Sequence, residues 1–180
     1  MNLIGSIFFF LIAGLLVLYI LLEIFIPNTT IKVFQFKPYS VVSRSMEPVI
    51  NKGDLVIVTN PNVDKLAVGD IITFRADIDY DGEKEIVTHY IKSKTLTEDG
   101  FIFTTNRYGS TTADTWGALS EDEVIGLYSF RIPKLGVFVD FIKSPFGIIA
   151  IIVNIGVIIG IVYIVKKSKK DKPQENKPEA

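Results

Sequence analysis

The sequence predicts a mainly β domain set between two membrane-spanning helices, and three observations carry that prediction. The apolar residues are concentrated in two blocks, one at each end of the chain. Between the blocks, short runs of β-branched and aromatic residues recur at regular spacing. Clusters of Gly, Asn, Asp and Pro separate those runs, as strand-and-turn chemistry requires.

The first block, residues 3–26, holds no charge before Glu23. About 20 apolar residues in a helix cross a hydrocarbon core of roughly 30 Å, so this block is long enough to span. It lacks a basic leading region, its apolar run is long for a leader, and Pro27-Asn28-Thr29 offers no small-x-small cleavage site. It therefore reads as a retained anchor. The second block, residues 146–165, has Asn154 as its one strongly polar side chain and also qualifies. Lys166, Lys167, Lys169 and Lys170 follow at once, and such a cluster stays on the cytoplasmic side. Two spans then put residues 1–2 on that side as well. The expected organisation is a cytoplasmic N-terminus (1–2), a first span (3–26), an extracytoplasmic β domain (27–145), a second span (146–165) and a basic tail (166–180). The tail is rich in Lys, Pro, Glu and Asn and is expected to be disordered.

In the middle segment the strands are expected at residues 54–59, 70–75, 85–92, 100–105 and 124–131, within a stretch from 30 to 139 that reads as β throughout. Regular short strands of this kind point to an all-β sandwich or barrel. No helix-length amphipathic pattern stands out between the spans, and there is no internal repeat.

Composition excludes several function classes. The tail from Lys166 holds six lysines against three acids, whereas the middle segment carries 13 basic and 16 acidic side chains. A mixed, mildly acidic surface is not the basic patch that nucleic acids require, so no nucleic-acid partner is expected. Cysteine is absent, which removes disulfides and thiolate chemistry. One histidine and no cysteine argue against a zinc site, and no metal or other cofactor is expected.

Three places can carry chemistry. Ser43-Arg44-Ser45-Met46-Glu47-Pro48 lies between the first anchor and the first clear strand. A serine hydroxyl becomes a nucleophile once a base takes its proton and nearby donors stabilise the oxyanion. Serines at i and i+2 of an extended chain share a face. One can attack while the other donates; the same residues also suit a plain polar loop. His89, the sole histidine, lies in the expected strand 85–92, on one face with Val87 and Ile91. A histidine takes and returns protons near neutral pH, though a buried, hydrogen-bonded histidine fits that face equally. Asp114, in the polar loop 104–116, can orient a histidine or simply serve a solvated turn. Lys92, three residues beyond His89, points to the opposite face of a regular strand and needs a strongly lowered pKa to act as a base.

Taken together these pieces resemble the type I signal peptidases. S-R-S-M-E-P is similar to that family's S-x-S-M-x-P nucleophile box, and G-D-L-V-I-V (53–58) and V-G-D-I-I-T-F (68–74) resemble the strands that follow it. V-T-H-Y-I (87–91) is similar to the T-H-R-I/V box of the ER-type branch, where a histidine replaces the lysine base of most bacterial enzymes. The resemblance implies Ser45 as nucleophile, His89 as general base, and an oxyanion hole from Ser43 Oγ and the Ser45 backbone N–H. The family's later G-D-x-N-x-x-x-D box is matched more loosely. Asn106-Arg107 stands where Gly-Asp is usual, and Asp114 matches the final acid as a third triad member. V-I-G (124–126) resembles the closing strand.

The implied protein is a membrane-bound serine endopeptidase that removes N-terminal signal peptides from secreted preproteins. Its implied partners are signal peptides with small residues at −1 and −3, and the lipid bilayer. It is expected in the plasma membrane as a multi-pass protein with its catalytic domain outside, or in the ER membrane in a eukaryote. A homologue dedicated to one partner, cleaving it or only binding it, stays open as the alternative.

Overall fold

The computed structural model describes residues 3–170; residues 1–2 and 171–180, which hold the expected N-terminal segment and most of the expected tail, lie outside the described residues. The chain forms two compact units, one ending at Val137 and one beginning at Phe138.

The first unit opens with helix α1 (Leu3–Phe25) and a two-turn helix α2 (Pro27–Phe34). Seven strands follow: β1 (Phe36–Ser40), β2 (Leu55–Thr59), β3 (Ile71–Ala76), β4 (Glu85–Thr97), β5 (Gly100–Asn106), β6 (Leu119–Ser120) and β7 (Val124–Ile132). They form one sheet in the order β1-β2-β7-β3-β4-β5-β6, with antiparallel neighbours throughout. Between an apolar helix at each end of the chain the protein is mainly β, built on this single sheet. Short single-turn helices at Val63–Lys65 and Glu121–Glu123 connect strands.

Strand alternation builds two apolar clusters. Ile72, Phe74, Ile91, Phe103 and Leu119 are buried in one of them. Met46, Ile50, Val56, Val58 and Ile125 are buried in the other, which is the one under Ser45. Each fully buried aliphatic or aromatic side chain contributes about 1.5–3 kcal/mol, so these clusters dominate the stability of the sheet.

Strand β4 runs five residues past the end expected from sequence. Residues 93–97 contain Lys and Thr in place of a strong apolar run, yet Ser93–Thr97 pair with Gly100–Thr104 across a two-residue turn. Gly100 closes that turn at φ 110°, a conformation that disfavours a side chain. A register shift between Ile91 and Ser93 leaves Lys92 bulged from the ladder.

Two short helices occupy the two ends of the stretch 30–139 that reads as β from sequence. Helix α2 starts at Pro27, whose fixed φ suits a first helical position. It ends at Gln35 in the left-handed region, where Gln35 Nε2 donates to the Lys32 carbonyl at 2.6 Å. Burial of Ile31 in the second cluster holds it. Helix α3 (Leu135–Lys143) begins at the end of the sheet, where Gly136 lets the backbones touch. A Cβ there would lie 2.3 Å from the Asp54 carbonyl oxygen. Helices this short have little intrinsic stability and form where tertiary contacts hold them, which a window of sequence does not reveal.

The second unit contains the rest of α3 and helix α4 (Pro145–Lys170). Ser144 Oγ accepts the Gly147 N–H at 3.1 Å and Pro145 occupies the first turn, an N-terminal cap. Helices α1 and α4 contain stretches of 22 and 23 residues that are long and apolar enough to cross a membrane, with none of either stretch buried in the protein.

Candidate active site

Ser45 sits on the turn that follows β1. Met46 and Ile50, 3% and 1% exposed, plug the second cluster, and the Ile50 N–H donates to the Met46 carbonyl at 3.0 Å. The turn is thereby clamped to the core while Ser45 stays half-exposed. A further tie comes from the loop after β5, where the Tyr108 N–H donates to the Ser45 carbonyl at 3.2 Å.

His89 lies in β4 opposite Ile72 of β3 and is 4% exposed. Its ring shares the face of Val87 and Ile91, as alternation along the strand requires. Asp114 is delivered by the loop after β5, which folds back so that the Asp114 N–H donates to the Thr105 carbonyl at 2.8 Å. Three side chains distant in sequence thus meet. Ser45 Oγ is 2.9 Å from His89 Nε2, and His89 Nδ1 is 2.7 Å from Asp114 Oδ2. A carboxylate only accepts, so this network assigns the proton to Nδ1 and leaves Nε2 to accept the Ser45 hydroxyl.

Ser43 is close by, with its Oγ 3.2 Å from Ser45 Oγ. The chain bends at Arg44 between the two serines, and both side chains line the same groove. Among the described residues, the Ser45 N–H has no acceptor. Lys92, the other conceivable base, donates to the Thr111 carbonyl. Asn106, where the resemblance leads one to expect glycine, braces the loop by donating to the Ser110 carbonyl at 2.8 Å.

A groove of about 510 Å³ runs past Ser45 and His89, lined also by Val41, Met46, Ile86 and Trp116. Tyr39 lies along the same groove. Burial first, and then the Glu23 carboxylate, push its phenol up to about 12, so it stays neutral. At one end, carboxylate oxygens of Asp77, Asp79 and Glu85 lie within 4.8 Å of one another. Several of these oxygens already accept backbone N–H groups, from Ile78, Asp81 and Gly82.

Two contacts of the site escape a reading of the sequence. Thr105 Oγ1 donates to Asp114 Oδ2 at 2.8 Å, and the Trp116 indole stands against the His89 ring at 5.4 Å between centroids. The one available signal was position: Thr105 faces inward in a strand, and Trp116 is the sole tryptophan, two residues from Asp114.

Comparison with known proteins places these residues in context. The family model described as signal peptidase, peptidase S26, matches residues 9–95, a stretch that includes Ser43, Ser45 and His89 and stops short of Asp114. Signal peptidase I W of Bacillus subtilis (strain 168) is 35% identical over 103 residues, which make up 56% of this chain and 51% of that protein. The chain spans about half the length of this curated relative. The matched family model and the identity to this relative both support the type I signal peptidase family for this chain, to which it is similar over residues 9–95.

Proposed function

We propose that the chain is a membrane-bound serine endopeptidase that removes signal peptides from preproteins, with Ser45, His89 and Asp114 acting as in the Ser-His branch of the family. One observation carries this reading: the continuous line from Ser45 Oγ to His89 Nε2 at 2.9 Å and from His89 Nδ1 to Asp114 Oδ2 at 2.7 Å. Ser45 Oγ attacks the scissile carbonyl carbon and its proton passes to His89 Nε2. The resulting oxyanion is held by Ser43 Oγ and the Ser45 N–H. His89 then protonates the leaving amine, which frees the mature N-terminus and leaves an acyl ester on Ser45. Water, deprotonated by His89, hydrolyses that ester and restores the serine. Asp114 fixes the imidazole tautomer and stabilises its charge while it holds the proton.

The backbone favours an extended substrate. Strand β5 pairs with β4 only from Tyr90 onward, so Glu85–His89 hydrogen-bond to β3 on one side alone. A substrate strand can add to that edge, with alternate side chains turned into the groove. Shallow apolar walls there suit the small residues at −1 and −3.

The membrane reading rests on the two apolar helices and on the lysines that follow the second. In it the tail and N-terminus face the cytoplasm, and the β domain meets its substrates outside, next to the bilayer they cross.

The test is cleavage of a preprotein bearing a small-x-small signal peptide by detergent-solubilised wild type, Ser45→Ala and His89→Ala. Processing by wild type and by neither variant is expected. Processing that survives His89→Ala transfers the role of base to another residue. No processing by wild type favours a homologue dedicated to one partner.

A further inference from the structure

Asp114 Oδ2 receives two hydrogen bonds, one from His89 Nδ1 at 2.7 Å and one from Thr105 Oγ1 at 2.8 Å. Thr105 is 1% exposed, so its hydroxyl has no water to turn to. Its lone pair faces the Trp116 indole, whose Nε1 lies 3.3 Å away. An indole N–H only donates, and a carboxylate only accepts. The hydroxyl between them therefore has one orientation that satisfies both neighbours: it accepts from Trp116 and donates to Asp114. The backbone repeats the tie, because the Asp114 N–H donates to the carbonyl of the same Thr105.

We propose that Thr105 and Trp116 are positioning residues for proton transfer, forming a one-way hydrogen-bond chain that locks the Asp114 carboxylate onto the imidazole. The inference rests on the roles proposed above for His89 and Asp114. Without the Thr105 hydroxyl, the carboxylate keeps the imidazole bond but loses the contact that sets its rotation. Trp116 adds a second effect from the groove side. Its ring covers the His89 ring at 5.4 Å, tilted by 36°, and lines the groove beside it. Water is thereby kept from the His89–Asp114 bond, and a charge-assisted hydrogen bond is stronger where water is excluded.

The experiment compares Thr105→Val, which keeps the shape and removes the hydroxyl, with Thr105→Ser, which keeps the hydroxyl. Hydrogen bonds to charged groups are worth enough that kcat of Thr105→Val is expected to fall about 10- to 100-fold, with KM unchanged. Thr105→Ser is expected to restore kcat. A second readout needs no substrate. His89 is the sole histidine, so the imidazole Nδ1–H proton resonance of the full-length, detergent-solubilised protein reports this bond without ambiguity. It is expected to move in Thr105→Val and to return in Thr105→Ser. An unmoved resonance in folded Thr105→Val overturns the proposal, as does equal loss of kcat in both variants. Since the resonance is read without turnover, a chain that cleaves no preprotein refutes the proposed function and leaves this measurement decisive for the bond.

Discussion

Ser45 Oγ and His89 Nε2 are 2.9 Å apart although 44 residues separate them in the chain. Groups that share one proton act as a unit. Ser45→Ala and His89→Ala are each expected to remove nearly all activity, and the double variant to be no worse than either. Steady-state rates on a preprotein check this, and additive losses would refute a shared mechanism.

Ser43 contributes in a different way. If its hydroxyl stabilises the oxyanion, Ser43→Ala loses transition-state binding and little else. The expected loss is on the order of 10²–10³ in kcat. An unchanged kcat removes Ser43 from the site, and a change in KM alone assigns it to substrate binding.

Asp114→Asn tests the third member. The amide keeps the shape of the carboxylate and loses the charge that stabilises an imidazolium. The neutral side chain can also turn its NH2 group toward Nδ1, which favours the wrong tautomer. In triads of this kind the same substitution lowers kcat by on the order of 10⁴. Single-turnover cleavage measures it, and a wild-type rate would reduce Asp114 to a loop residue.

Asp54 makes a prediction about stability. It is 1% exposed, and burial taken alone raises its pKa. The Asn51 and Lys134 backbone N–H groups and the Arg131 guanidinium all donate to it and outweigh burial, so its pKa is lowered. A carboxyl with a folded pKa below its unfolded value, about 4, stabilises the fold above that value. The contribution is lost as pH falls through the folded pKa. The thermal midpoint of wild type is expected to drop on acidification below about pH 4. Asp54→Asn is expected to cost about 3 kcal/mol at neutral pH, since it strips a buried partner from Arg131, and to show a flatter acid limb. Thermal denaturation at pH 7 and pH 3 checks both, and parallel curves for the two proteins contradict the assignment.

The strands at residues 54–59, 70–75, 100–105 and 124–131 were legible because each carries its own alternation and its own flanking turn. Strand β1, from Phe36 to Ser40, was not, since Lys37 and Pro38 break its pattern. Lys37 is nevertheless buried there, its ammonium 2.9 Å from both Glu23 Oε1 and the Pro27 carbonyl. Strand β6, two residues at Leu119–Ser120, is too short to leave a pattern at all.

The two apolar helices, the β character of the middle and three residues worth testing are legible in the linear chain. These are properties of composition and of spacing within a few residues. That Ser45, His89 and Asp114 meet, with Thr105 and Trp116 against them, emerges only when the sheet is folded. Their meeting depends on register: His89 faces Ile72, Ile91 faces Thr105, and the loop after β5 returns Asp114 to the Thr105 backbone. A slip of one residue between strands turns every side chain to the other face of the sheet. That register is set by the packing of the whole core, so no local window of the chain contains it.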